Sequence, residues 1–244
     1  MTYVLLGLIA LTAFTAEGAI GFGATVIVVS VGAQLVPLDV LLPAWVPLNI
    51  AMSTYLVIRN REHIAWRFLL VEIVPLVALG TALGLGLFHL PHKTLFAAIL
   101  GAFVCLLALL QLVRPQTRAL ARSWQYAFLG IGGIAHGLFG TGGPMIVYVA
   151  RRRLPDAASF RATLCLLWLG LNLALVANYA ALQLFTTTTS VYSVIFAALL
   201  LPGVLAGNTL HHALPPATFE KCVWIGLLVA GLALAIRSAL ALQA

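Results

Sequence analysis

The chain has 244 residues, 63% of them apolar and only 8% charged, with a mean hydropathy of +1.10. A soluble domain carries about 25% charged residues, so this composition excludes one and points to an all-α membrane protein. The net charge of +7 and pI near 9.8 would suit nucleic acid. The arginines, however, stand in short clusters between apolar stretches and no basic face interleaves with aromatics, so no nucleic-acid partner is expected. Cys105, Cys165 and Cys222 form no CxxC pair and lie in or near apolar runs, which indicates neither a disulfide framework nor a zinc site; no metal and no cofactor are expected.

The first residues, MTYVLLGLIALTAFTAEGA, imitate a signal peptide but lack a positive start, and are expected to stay in the mature protein. Tyr3–Ala16 reads as an apolar piece of about 14 residues, or ~21 Å of helix, short of the ~30 Å hydrocarbon core. After the glycine-bearing EGAIGFG (17–23), Ala24–Ala33 gives a second short piece, so residues 3–33 read as a broken hairpin. Spans are expected at about 40–58, 68–88 and 94–113, with the basic loop Arg59–Arg67 after the first and the turn HLPHK before the third. Glu72 is expected to pair with Arg67 at the interface.

A basic linker, 114–123, separates this first repeat (1–113) from a second (124–244) with the same plan. Residues 124–150 form its broken hairpin, Arg151–Arg153 stop the short second arm, and spans follow at about 162–182, 191–210 and 219–236. The TTTTS run at 186–190 is read as a turn.

Charge decides the topology. If each broken segment crosses once, Lys and Arg divide almost evenly between the two sides. If each is a re-entrant hairpin, all of them except Lys93 and Arg237 fall on one side, as cytoplasmic loops require. Each repeat is then a hairpin plus three transmembrane helices, and that odd number inverts the second repeat relative to the first. Both chain ends lie outside and Arg151–Arg153 in the cytoplasm.

The second hairpin breaks at HGLFGTGGP (136–144), and an offset of 119 aligns Gly18, Gly21 and Gly23 with Gly137, Gly140 and Gly142. Helices broken at corresponding points of two halves point to a transporter's binding site. Helices restarting near Thr25 and Pro144 would turn unpaired N–H groups and positive dipole ends into the cavity, a setting for a small anion. Close helix packing is the plainer reading of the same glycines.

EGAIGFG and HGLFGTGGP, followed by RRRLPDAASFRAT, resemble the TauE/SafE-type sulfite exporter family of anion transporters. The resemblance implies a small sulfur-containing anion, such as sulfite or an organosulfonate, moved across a bacterial inner membrane by a multi-pass protein. Members commonly carry a fuller run of glycines at both hairpins and an Ala-Thr-Ser after the second. Here Ala24 stands where the second hairpin has Gly143, and the later triplet is Ala162-Thr163-Leu164.

Candidate site residues follow from position. Gly21, Gly23, Gly140, Gly142 and Gly143 form the tips, with Thr25, Thr141 and Thr163 as hydroxyl donors. Asn49 and Asn172, at related places in the two halves, offer amides; interhelical hydrogen bonding is their plainer role. An ionisable group in apolar surroundings is a functional candidate by default. Glu17 is the candidate for proton coupling, or else a hairpin anchor. His136, at the matching place, is read as an anion ligand, a proton relay or a packing residue. Arg161 serves orientation or an anion gate.

The partners expected are the small anion, the lipid bilayer and protons as coupling ion, and a homodimer is compatible with the sequence. The alternatives are a membrane-embedded enzyme, for which no HExxH or Ser/His/Asp set is present, or an assembly subunit. The chain also lacks a nucleotide-binding Gly-rich Lys-Ser/Thr motif, so transport is expected to be secondary.

Overall fold

The computed structural model describes residues 2–87, 93–113, 121–140, 143–154 and 156–213, and separate positions between 215 and 239. Among these the chain is helical, with no strand. Helix α1 (Thr2–Ile20) leads into the short α2 (Ala24–Ile27), which continues as a π-helical turn, Val28–Gly32. Helix α3 (Leu38–Asn60) ends in a 3-10 turn, and a π-helical stretch, Phe68–Ile73, runs into α4 (Val74–Leu87). Helices α5 (Lys93–Val113), α6 (Arg122–Phe139), α7 (Gly143–Arg153), α8 (Ala157–Ala181) and α9 (Thr187–Ala213) follow. Five described segments are long and apolar enough to cross a membrane: Thr2–Ala19, Leu38–His63, Phe68–Leu87, Ala158–Ala181 and Thr187–Leu210. Their outward side chains, such as Leu8, Val71, Leu83 and Val194, are apolar and exposed, as a lipid solvent requires.

Four sequence expectations change. Helix α1 does not stop at Ala16 but runs through Glu17 and Gly18 to Ile20, so its 19 residues suffice by length to cross. Both residues are accommodated by neighbours: Gly18 lets α9 approach at Val204 and Gly207, and Glu17 meets Asn49. The TTTTS run is the first turn of α9 rather than a loop. Thr186 and Thr189 exchange side-chain-to-backbone hydrogen bonds, with the Thr186 N–H donating to Thr189 Oγ1 at 2.7 Å and the Thr189 N–H to Thr186 Oγ1 at 3.3 Å. That is a reciprocal helix cap. Helix α7 continues through the three arginines to Arg153. Finally, Glu72 pairs with Arg153 rather than Arg67, tying the end of α7 to the π-helical stretch that leads into α4.

At the start of α8, Asp156 accepts from the Ser159 N–H at 2.8 Å. That bond caps the helix and holds the exposed Asp156 carboxyl below its ordinary range. The HLPHK turn and most of the 114–123 linker lie outside the described residues.

The helices pack across the two halves. α1 lies along α9, α6 lies along α4, and α3 crosses α8 near the middle of both. Small residues make the first two contacts possible. A Cβ on Gly137 would lie 2.7 Å from Leu85 N and 2.8 Å from the Gly84 carbonyl carbon. A Cβ on Gly207 would lie 2.9 Å from Ala19 N and from Gly18 Cα. Backbone therefore meets backbone at both places, each time between one half and the other. Trp45 is fully buried between Phe14, stacked at 4.5 Å, and Phe196, edge-on at 5.5 Å, and anchors the core around α3.

Candidate functional site

Helices α1 and α6 end in the same way. The Gly21 N–H donates to Glu17 O at 2.6 Å and the Gly140 N–H to His136 O at 2.7 Å, with φ of +86° and +65° at the two glycines. This left-handed cap is open to glycine at no steric cost, and it places Glu17 and His136 one turn before each break. Beyond the breaks, Gly23 just before α2 and Gly143 at the start of α7 line the same cavity. The first helical bond of α2 runs from the Ile27 N–H to Gly23 O at 3.0 Å, which leaves the preceding N–H groups without intrahelical acceptors.

Glu17, Asn49, His136 and Asn172 are each only 2% exposed. They form one polar layer. Asn49 Nδ2 donates to Glu17 Oε2 at 2.9 Å, and Asn172 Nδ2 donates to Asn49 Oδ1 at 2.7 Å. Asn172 reaches on toward His136, whose two ring nitrogens are buried without a well-formed hydrogen bond. The layer runs from α1 through α3 and α8 to α6, so each half supplies two residues. Glu17 Oε1 is also buried without a partner, and the Ala24 N–H at the start of α2 faces the same carboxyl.

These residues surround a cavity of about 20 Å³, lined also by Phe22, Gly23, Thr25, Val26, Gly140, Gly143 and Trp168. Such a volume holds about one water-sized guest.

Of the residues singled out from sequence, the structure gathers Glu17, Gly23, Thr25, Asn49, His136, Gly140, Gly143 and Asn172 around this cavity. Gly21 is buried in the turn rather than on the cavity wall. A Cβ there would stand 2.7 Å from Arg161 Cγ, because the Arg161 side chain passes over the turn. The Arg161 Nε is buried without a partner. Thr25 faces the cavity, but its hydroxyl accepts from Trp45 Nε1 at 3.1 Å. Thr163 is elsewhere: its hydroxyl accepts from the Ala65 N–H at 2.9 Å and so fastens the loop after α3 to α8. Thr163, near the start of α8 and nine residues before Asn172, is not among the residues that line this cavity. Thr141 and Gly142 lie outside the described residues.

Reasoning from sequence missed Trp168. Its ring stacks on His136 with centroids 5.8 Å apart and planes inclined by 17°. The signal was present. WVPLN (45–49) and WLGLN (168–172) share Trp, Leu and Asn at an offset of 123, and a Trp four residues before an Asn shares its helix face.

Comparison with known proteins agrees with this architecture. The sulfite exporter TauE/SafE family matches residues 6–234. A protein of Comamonas testosteroni described as "Probable inner membrane transporter protein TsaS" is 27% identical over 178 residues, covering 72% of this chain and 74% of its own. No solved structure matches. The chain therefore belongs to the sulfite exporter TauE/SafE family, whose members are membrane transporters rather than enzymes.

Proposed function

We propose that this chain is a secondary transporter, in the inner membrane, for a small sulfur-containing anion such as sulfite or an organosulfonate. The anion binds at the membrane midplane between the two glycine tips. The observation that carries the reading is the small cavity to which each half contributes a broken helix, an asparagine and an ionisable residue. Irregular backbone at membrane depth is stable only where it is buried or lines a cavity, and this backbone does both. Helix α7 starts at Gly143 on the cavity wall, so its N–H groups and positive dipole end favour an anion there.

The topology proposed with it has two inverted repeats. Each is a re-entrant hairpin (α1–α2 and α6–α7) followed by three spans, with both chain ends outside. The crossed packing of α1 on α9 and of α6 on α4 supports a two-fold relation between the halves. In this arrangement each hairpin moves with the opposite repeat. Rocking one half against the other then opens the cavity to one side at a time.

Uptake by proteoliposomes tests the function. With the purified protein, labelled sulfite and short sulfonates are expected to accumulate saturably and to compete with one another. Cations and neutral sulfur compounds are expected to do neither. A protein that moves none of the anions in either direction, with or without a pH gradient, would contradict the reading.

A further inference from the structure

We propose that the indole N–H of Trp168 is a direct hydrogen-bond donor to the transported anion. This assignment rests on the small-anion reading above and adds a recognition group to it.

Two tryptophans occupy matching places, and their N–H groups have different fates. Trp45 and Trp168 each stand four residues before the asparagine of the polar layer. The Trp45 Nε1–H donates to the Thr25 hydroxyl at 3.1 Å. The offset of 119 that aligns the two glycine tips places Pro144 opposite Thr25, and proline carries no hydroxyl. Among the described residues the Trp168 Nε1–H is accordingly buried with no acceptor. Its side chain is 6% exposed, lines the cavity and is held flat against His136.

A buried donor left unpaired is costly, because it has lost water and gained nothing. Tryptophan N–H groups ordinarily find a partner when buried. Phenylalanine would present an aromatic face to His136 without that cost. A donor kept unpaired on a cavity wall is satisfied when a guest brings an acceptor. Indole N–H donates and cannot accept or ionise, so the guest it selects presents acceptor oxygens, as sulfite and sulfonates do. A ring fixed by stacking also loses little freedom on binding.

The test uses the full-length reconstituted protein, with sulfite and methanesulfonate as probes. The chain has five tryptophans, so the indole region of a ¹H–¹⁵N correlation spectrum holds few signals. Trp168→Phe identifies the one that matters; if that variant fails to insert, Phe variants of the other four identify it by elimination. The Trp168 N–H signal is expected to shift saturably as sulfite is added. Trp168→Phe is expected to raise KM about tenfold or more, with kcat within about threefold, as removal of one hydrogen bond to a charged ligand predicts.

A parent protein that transports sulfite while the Trp168 signal stays fixed would overturn the assignment and leave the transporter reading standing. An unchanged KM in Trp168→Phe would do the same. A parent that transports neither anion would overturn the transporter reading, and this assignment with it.

Discussion

Gly137→Val is expected to lower the thermal unfolding temperature of the detergent-solubilised protein by roughly 10 °C, consistent with about 3 kcal/mol of overpacking. The cause is local. Even the first atom of the new side chain would stand 2.7 Å from Leu85 N and 2.8 Å from the Gly84 carbonyl carbon. Those are backbone atoms of α4, which cannot turn aside as a flexible side chain can. The two helices must separate, and the loss of dispersion contacts spreads along the whole α4–α6 contact. Gly143→Ala makes the contrast, because its Cβ would meet only Val26 Cγ2, at 3.8 Å, and the unfolding temperature should stay within about 2 °C of the parent. Equal stabilities in a fluorescence-monitored melt of the two variants would remove the claim that backbone contact at Gly137 holds the halves together.

Glu17→Gln is expected to abolish transport driven by a pH gradient while exchange of labelled for unlabelled anion continues. In the structure the Glu17 carboxyl occupies the cavity an anion would enter, bonded to Asn49 and facing the Ala24 N–H. Two unit negative charges 4 Å apart repel by about 4 kcal/mol at an effective dielectric of 20, nearly a thousandfold in affinity. Anion and ionised carboxylate would therefore exclude one another, and the proposed coupling is that a bound anion is accompanied by a proton on Glu17. Glutamine keeps the size and the acceptor oxygen for Asn49 but is always neutral. It should bind the anion at any pH and gain nothing from an imposed gradient. Gradient-driven uptake should fall at least about tenfold, with exchange rates within a few-fold of the parent. An unaltered pH dependence in Glu17→Gln would transfer the coupling role to another group, with His136 the next to be tested.

What was legible in the sequence was whatever depends on local chemistry. Long apolar runs marked α3, α4, α8 and α9, since lipid demands about 20 apolar residues of helix. The glycine-bearing stretches 17–23 and 136–144 marked that α1 and α6 break off there, though both helices run on past Ala16 and Ala135 to Ile20 and Phe139, just before the left-handed caps at Gly21 and Gly140. What was not legible depended on partners far along the chain. The extent of α1 was underestimated because Glu17 and Gly18 look like terminators until Asn49 and Gly207 are placed beside them. The threonine run was read as polar loop, although Thr186 and Thr189 make their polarity the cap of α9. Thr163 is a hydroxyl donor by residue type alone, and the sequence does not show that its hydroxyl accepts from the Ala65 N–H, 98 residues away. Trp168 is not marked by the pairing of Asn49 with Asn172 alone; the match of Trp45 with Trp168, four residues before each asparagine, is what places it on the same helix face.

The central claim is a single anion site shared by both halves, and anion affinity in variants of the two asparagines tests it most directly. Asn49 and Asn172 come from opposite halves, share a hydrogen bond of 2.7 Å and face the same cavity. KM for the transported anion, measured in proteoliposomes, is expected to rise about tenfold in Asn49→Ala and in Asn172→Ala. In the double variant it should rise by clearly less than the hundredfold that independent residues would produce, because groups sharing a bond are not additive. Parent-like KM in either single variant, or strictly multiplicative effects in the double, would contradict a site built jointly by the two halves.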